Sequence, residues 1–222
     1  FATSNNAIFG KTAMDMLTVS ELNETAHNFG FGTPLTEMMP LDVSHILTPK
    51  THFNMAELAS GFNKATTISP IHGALIASII INNGELISPF IIEKVTDSES
   101  DKIIWEPSFH TKQVLAQKHA EDLKNMMKST ISQGTARSFK RDYKGRALLK
   151  KLIIGGKTGS ISGGKPFGKY DWFITFAGPK DRNNKGISLC VMIVNQKKWY
   201  VKATHLAKEI LWDYFKTIHP IL

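Results

Sequence analysis

Apolar positions recur with two different spacings along this chain, and the spacing changes near residue 150. Before that point the long apolar stretches have the three-to-four-residue period of helices. Thr3-Ser4-Asn5-Asn6 offers several N-caps to a helix expected from Ala7 to Leu17. Ser20 is expected to cap a second helix, Glu21 to Asn28, which Gly30-Phe31-Gly32 would stop. The stretch from Thr33 to Ala56 has no period, carries Pro34, Pro40 and Pro49, and reads as an irregular surface segment. Ser69 followed by Pro70 is a start signal for a helix through Asn82 that is apolar nearly all round and therefore buried. Pro89 to Val95 and Lys102 to Trp105 flank an acidic turn and predict a peripheral hairpin. A further helix is expected over Gln117 to Ser132, with Leu123, Met126, Met127, Thr130 and Ile131 on its inner face.

After residue 150 the pattern is that of strands. The apolar approach Ile153-Ile154, the run Asp171 to Ala177 and the run Ile187 to Val194 are separated by a Gly-rich turn (Ile161 to Lys169) and a polar turn (Pro179 to Gly186). Three such strands joined by short turns form an antiparallel meander. A last helix, about Val201 to Thr217, has the stripe Ala203, Leu206, Ala207, Ile210, Leu211, Tyr214, Phe215 and Ile218, which would pack on the sheet. The expected class is α+β, an antiparallel sheet flanked by helices.

Composition narrows the chemistry. The chain is 42% hydrophobic and 21% charged, ordinary material for a packed core. Its one cysteine, Cys190, sits in a strand-like apolar run as a small hydrophobe and leaves no thiolate metal site or intrachain disulfide. The eight histidines show no paired ligand spacing, so no metal and no cofactor are expected. The net charge of +8 suits anionic partners. The densest basic stretch, Lys140 to Lys151, has a single aromatic, Tyr143, and reads as a solvated loop with no nucleic-acid partner. No apolar run reaches the roughly 18 residues of a membrane span.

The chemistry concentrates at Ile153 to Ser160, Ile-Ile-Gly-Gly-Lys-Thr-Gly-Ser. Gly-Gly on a strand marks a close backbone approach. Lys157 then supplies a point charge, Thr158 and Ser160 supply hydroxyls, and Gly159 leaves the strand surface clear. This set suits an extended peptide bearing a free carboxylate. The Lys-Thr-Gly triplet alone equally suits a strand end with a solvated lysine, and Ser4 and Asn6 alone equally suit helix capping.

In order and context the chain resembles the transpeptidase domain of penicillin-binding proteins, in the serine D,D-transpeptidase and β-lactamase superfamily. The resemblance covers nearly the whole chain. It rests on Ser4-Asn5-Asn6 as Ser-x-Asn at a helix start, and on Thr67-Ile-Ser-Pro70 entering a small-residue helix that leaves at Asn82-Asn83-Gly84. It rests also on Gly134-Thr135, on Gly155 to Ser160 as the third motif, and on Tyr170-Asp-Trp-Phe173 opening the next strand. Ser160 stands where the family most often has Thr, which keeps the hydroxyl and drops a methyl. The family's nucleophile motif, Ser-x-x-Lys, has one formal match, Ser162 to Lys165, in the wrong order and in a turn.

The resemblance therefore implies residues 1–222 as the C-terminal part of a single transpeptidase domain, inactive by itself, whose N-terminal part carries the nucleophile. It implies acyl transfer from D-Ala-D-Ala stem peptides of peptidoglycan through an acyl-serine, with β-lactam antibiotics as mimics. Ser4, Asn6 and Lys157 would be catalytic, and Thr158, Gly159 and Ser160 would bind substrate. Partners would be the cell-wall synthesis machinery. The location would be the extracytoplasmic, periplasmic side of the cell membrane, below a single-pass anchor upstream. The alternatives are a non-catalytic β-lactam or peptidoglycan sensor on the same scaffold, and an unrelated anion-binding domain using the basic loop.

Overall fold

The computed structural model describes residues 1–108, 110–140, 151–180, 186–196 and 198–218. Four helices come first: α1 (Asn6–Met16), α2 (Val19–Asn28), α3 (His52–Ser60) and α4 (Pro70–Ile81). Two small antiparallel pairs follow, β1 (Glu85–Ile87) with β4 (Thr111–Gln113) and β2 (Val95–Thr96) with β3 (Ile103–Trp105). Then come α5 (Gln117–Ser132), strands β5 (Leu152–Gly163), β6 (Gly168–Pro179) and β7 (Ile187–Asn195), and α6 (Ala203–Asp213), which continues as a π-turn over Tyr214–Ile218.

Local signals place the helix starts. Asn5 Oδ1 accepts from the N–H of Ile8 at 3.0 Å, and Ser69 Oγ accepts from the N–H of His72 at 3.2 Å with Pro70 at the first helical position. The second helix starts earlier than expected: Thr18 and Glu21 form a reciprocal capping box, so Thr18 and not Ser20 is the cap. The segment 33–56 is irregular only to residue 51. Thr51 Oγ1 caps α3 by accepting from Asn54 N–H at 3.1 Å, and Gly61, in the left-handed region at φ 74°, closes that helix.

The sheet has the order β5-β6-β7, antiparallel throughout, with Lys157 opposite Ile174, Thr158 opposite Phe173 and Ser160 opposite Asp171. Helices cover both faces. On one, Phe176 packs with Ala77 and Ile80 of α4 and Met127 of α5. On the other, Phe173, Ala177 and Val191 pack with Ala203, Ala207 and Leu211 of α6 and with Phe215. The expected α+β class, an antiparallel sheet flanked by helices, is borne out. Three inner-face assignments are corrected: Met126 and Leu206 are 42% and 39% exposed, because α5 and α6 meet the sheet through narrower stripes than their apolar periodicity suggests. Ile218, at the end of the α6 stripe, is exposed as well. The hairpin after α4 is shorter than expected and exposed, and β6 extends to both sides of the predicted run. Most of the basic loop (141–150) and of the polar turn before β7 (181–185) lies outside the described residues.

Both glycines that open the functional stretch are demanded by packing. A Cβ on Gly155 would run into the Phe176 ring and stand 3.0 Å from Met127 Cβ, and one on Gly156 would meet the Phe173 ring. At Gly159 a Cβ would be 3.6 Å from Trp172 Cβ, an ordinary contact, so protein packing does not exclude a side chain there. Gly155→Ala should therefore destabilise the fold by about 1–3 kcal/mol through overpacking, and Gly159→Ala by less than about 0.5 kcal/mol. Urea unfolding of the two variants side by side checks the contrast.

Candidate functional site

β5 is the strand next to the cleft, and its outer edge faces the start of α1. The N-terminal segment is pinned there by backbone bonds. Thr135 N–H donates to the Ala2 carbonyl at 3.0 Å, and Ser4 N–H donates to the Phe1 carbonyl at 3.0 Å to close a tight turn. The carbonyl of Ala2 lies so near Gly134 that any side chain at that position would displace it. The turn leaves Ser4 at φ 52°, a left-handed conformation that costs a non-glycine residue on the order of 1–2 kcal/mol. That conformation aims the hydroxyl at β5. Lys157 Nζ donates to Ser4 Oγ at 2.6 Å and to the Thr158 carbonyl at 3.0 Å.

Two aromatic rings complete the lysine's surroundings: Nζ lies 5.7 Å from the Phe1 centroid and 5.9 Å from that of Phe9, and the rings meet edge to face. Among the described residues no carboxylate is within ion-pair distance of this ammonium. Burial without a counter-ion lowers the Lys157 pKa from its ordinary range. On the strand's other face, the Thr158 hydroxyl shares a hydrogen bond with that of Thr135 at 2.6 Å.

These groups open into one cavity of about 1000 Å³ that is also lined by Asn6, Gly159, Ser160, Ile161 and Ser162. All six residues predicted from the sequence, Ser4, Asn6, Lys157, Thr158, Gly159 and Ser160, thus line the same cleft. Asn6 is exposed at the first position of α1, and the capping that Ser4 and Asn6 alone could have signified is performed by Asn5. Sequence reasoning gave Thr135 no role at the site; its Gly-Thr dipeptide was the available signal. It also missed Asp171, whose Oδ2 accepts from Ala203 N–H at 2.8 Å and so caps α6 from β6. The formal Ser-x-x-Lys match spans the exposed end of β5 and the following turn, with Ser162 at the cleft and Lys165 beyond it. No group of three or more potential metal ligands occurs among the described residues.

Taken together, these features define an α+β domain whose exposed sheet edge carries an uncompensated cation flanked by hydroxyls, a cleft made for an anion. The family model described as the penicillin-binding protein transpeptidase domain matches residues 1–215, and the chain belongs to that family. It is 25% identical over 199 residues to penicillin-binding protein 3 of Bacillus subtilis (strain 168), a match covering 87% of this chain and 27% of that protein. The D,D-transpeptidase domain of a peptidoglycan glycosyltransferase from Eggerthella lenta has the same fold, with a TM-score of 0.76 at 18% identity over 100% of this chain and 53% of that one. Penicillin-binding protein A of M. tuberculosis, solved as an imipenem acyl-enzyme complex, superposes with a TM-score of 0.73 at 18% identity, covering 94% of this chain and 45% of that one. The chain therefore spans about a quarter of the length of the curated relative and about half of the solved ones.

A lysine whose pKa is depressed in the fold releases its proton earlier than it would in the unfolded chain. Between those two pKa values the unfolded state holds more protons, so stability rises with pH. Relative to Lys157→Met, the parent should gain stability as pH rises towards the ordinary lysine pKa of about 10.4. Urea midpoints of both proteins at four or five pH values test the slope, and parallel curves would contradict it.

Proposed function

We propose that this chain carries the cleft of a serine D,D-transpeptidase that acts on peptidoglycan stem peptides. The observation that carries the reading is the 2.6 Å contact between Lys157 Nζ and Ser4 Oγ, made across 153 residues of sequence at an exposed sheet edge. A hydroxyl that accepts from an ammonium has its own proton free to give. Ser4 passes that proton to the nitrogen that leaves when the D-Ala-D-Ala bond breaks, and Lys157 keeps the site positive while the acyl-serine forms. Thr158 and Ser160 bind the terminal carboxylate through their hydroxyls, with Thr135 holding the Thr158 hydroxyl in position. Asn6 donates to the acyl-side amide of the substrate, Gly159 leaves the edge clear for an extended peptide, and the Ser160 N–H is half of the oxyanion hole.

The acyl-accepting serine comes from a segment preceding Phe1, in keeping with the fraction of its relatives that the chain spans, and residues 1–222 form the C-terminal part of one domain. β-Lactams acylate the same serine. The imipenem acyl-enzyme of the M. tuberculosis relative supports that reading. The domain works on the extracytoplasmic face of the cell membrane with the cell-wall synthesis machinery. No helix of the described residues is long and apolar enough to cross a membrane.

In the full-length protein, Lys157→Ala should abolish acylation by labelled penicillin, and Ser4→Ala should slow it by about 10²- to 10⁴-fold, the range of a positioned proton donor. Peptide mapping of the adduct should find it on a serine outside residues 1–222. Undiminished labelling of Lys157→Ala, or an adduct on Ser162, would contradict the proposed roles.

A further inference from the structure

Beyond Ser160 the cleft becomes strongly basic. Its far end is lined by Lys64, Lys169, Lys202 and Trp199, none of which the proposed reaction uses. Three separate parts of the chain supply them: the loop between α3 and α4, the start of β6, and the segment leading into α6. Trp199 lies between two of the cations, with Lys169 Nζ 4.6 Å and Lys202 Nζ 5.6 Å from its ring centroid. Lys64 reaches over the end of β5, its ammonium 3.3 Å from where a Cβ on Gly163 would stand.

The acidic side chain lining this cavity, Asp171, is buried and accepts from the Ala203 N–H, so one carboxylate stands against three ammonium groups and the cluster keeps a net positive charge. Among the described residues no carboxylate forms an ion pair with Lys64, Lys169 or Lys202. Three ammonium groups kept around one cleft repel each other, and aromatic contact offsets only part of that. A cleft of this kind concentrates anions.

The register fixes where such an anion would sit. Lys169 is opposite Ser162, two positions beyond Ser160 on the same face of the sheet. Two residues of extended chain span about 6.6–6.8 Å. A peptide lying along the edge of β5 with its reacting carbonyl at Ser160 therefore brings its next one or two residues on the acyl side under these lysines.

We propose that Lys169 and Lys202, in contact with Trp199, and Lys64, over the end of β5, form a second anion subsite that selects acyl donors carrying a carboxylate branch one to two residues from the reacting bond. The proposal rests on the acyl-transfer reading of the cleft and adds the charge of the preferred substrate. The terminal carboxylate goes to Thr158 and Ser160 at one end, and the branch carboxylate goes to the lysines at the other.

Benzylpenicillin and carboxybenzylpenicillin differ by one carboxylate on the acyl side chain and serve as the probe pair. Acylation rate constants of the full-length protein are compared with those of the Lys169→Gln/Lys202→Gln variant at low and physiological salt. The ratio of carboxybenzyl to benzyl rates should fall about fivefold in the variant, the scale of exposed charge pairs, with the benzylpenicillin rate within about twofold of the parent. In the parent the ratio should also fall as salt is raised. An unchanged ratio in the variant, whatever the absolute rates, overturns the subsite and leaves the catalytic reading standing. Failure of both drugs to acylate the parent overturns the catalytic reading and the subsite with it.

Discussion

The cleft depends on a half-buried ammonium without a counter-ion. Lys157 is half-buried between a hydroxyl, a backbone carbonyl and two aromatic faces, and burial depresses its pKa. Placing charge in such a site costs free energy unless it is hydrogen-bonded, and the two short contacts meet that cost only in part. The remainder is a standing positive potential at the edge of β5. The same contact ties the start of α1 to the sheet, so the chemistry and the docking of the helical layer share one bond. The left-handed backbone at Ser4 shows what the fold spends to keep it.

The rest of the molecule serves to hold β5 in place. Its inner half is clamped between Phe176, which faces α4 and α5, and Phe173, which faces α6. Its outer half leaves the packed layers and becomes the cleft wall. Asp171 contributes from the neighbouring strand by capping α6, which satisfies a helix end that has no side-chain cap of its own. The helix it anchors covers the far face of the sheet, and the segment leading into it carries Trp199 and Lys202.

Features written locally were legible in the sequence. Ser69-Pro70 set the start of α4, the Gly-Gly-Lys-Thr-Gly-Ser run located the site strand, and the period of α5 gave its limits. The pairing of Ser4 with Lys157 was legible only through a resemblance spanning the chain, since no local rule joins residues 153 apart. Other features were lost because they are made by distant partners. The β1–β4 pair joins short strands separated by an exposed hairpin. Thr135 becomes a site residue only through the Thr158 hydroxyl. α3 was obscured because the prolines before it masked a cap that Thr51 supplies alone. The capping box at Thr18 was misread by two positions because Ser20 is an equally good cap by type; Glu21, three residues after Thr18, decides for the earlier start.

Register explains why two glycines precede the lysine. Successive side chains on β5 alternate between the α4 side and the α6 side. Lys157 and Ile174 share the α4 side, where Gly73 of α4 stands close to Ile174 and Cys190. Thr158 and Ser160 share the α6 side with Phe173 and Asp171. A slip of one residue would move the ammonium off Ser4 and send the hydroxyls into its place. It would also put a larger residue, Ile154 or Lys157, into one of the two places that Gly155 and Gly156 now fill beneath the Phe176 and Phe173 rings, where there is no room for a side chain. The glycine pair therefore acts as a register lock: the steric demand of the core at residues 155 and 156 determines which face carries the cation and which carries the hydroxyls a few ångströms further along the strand.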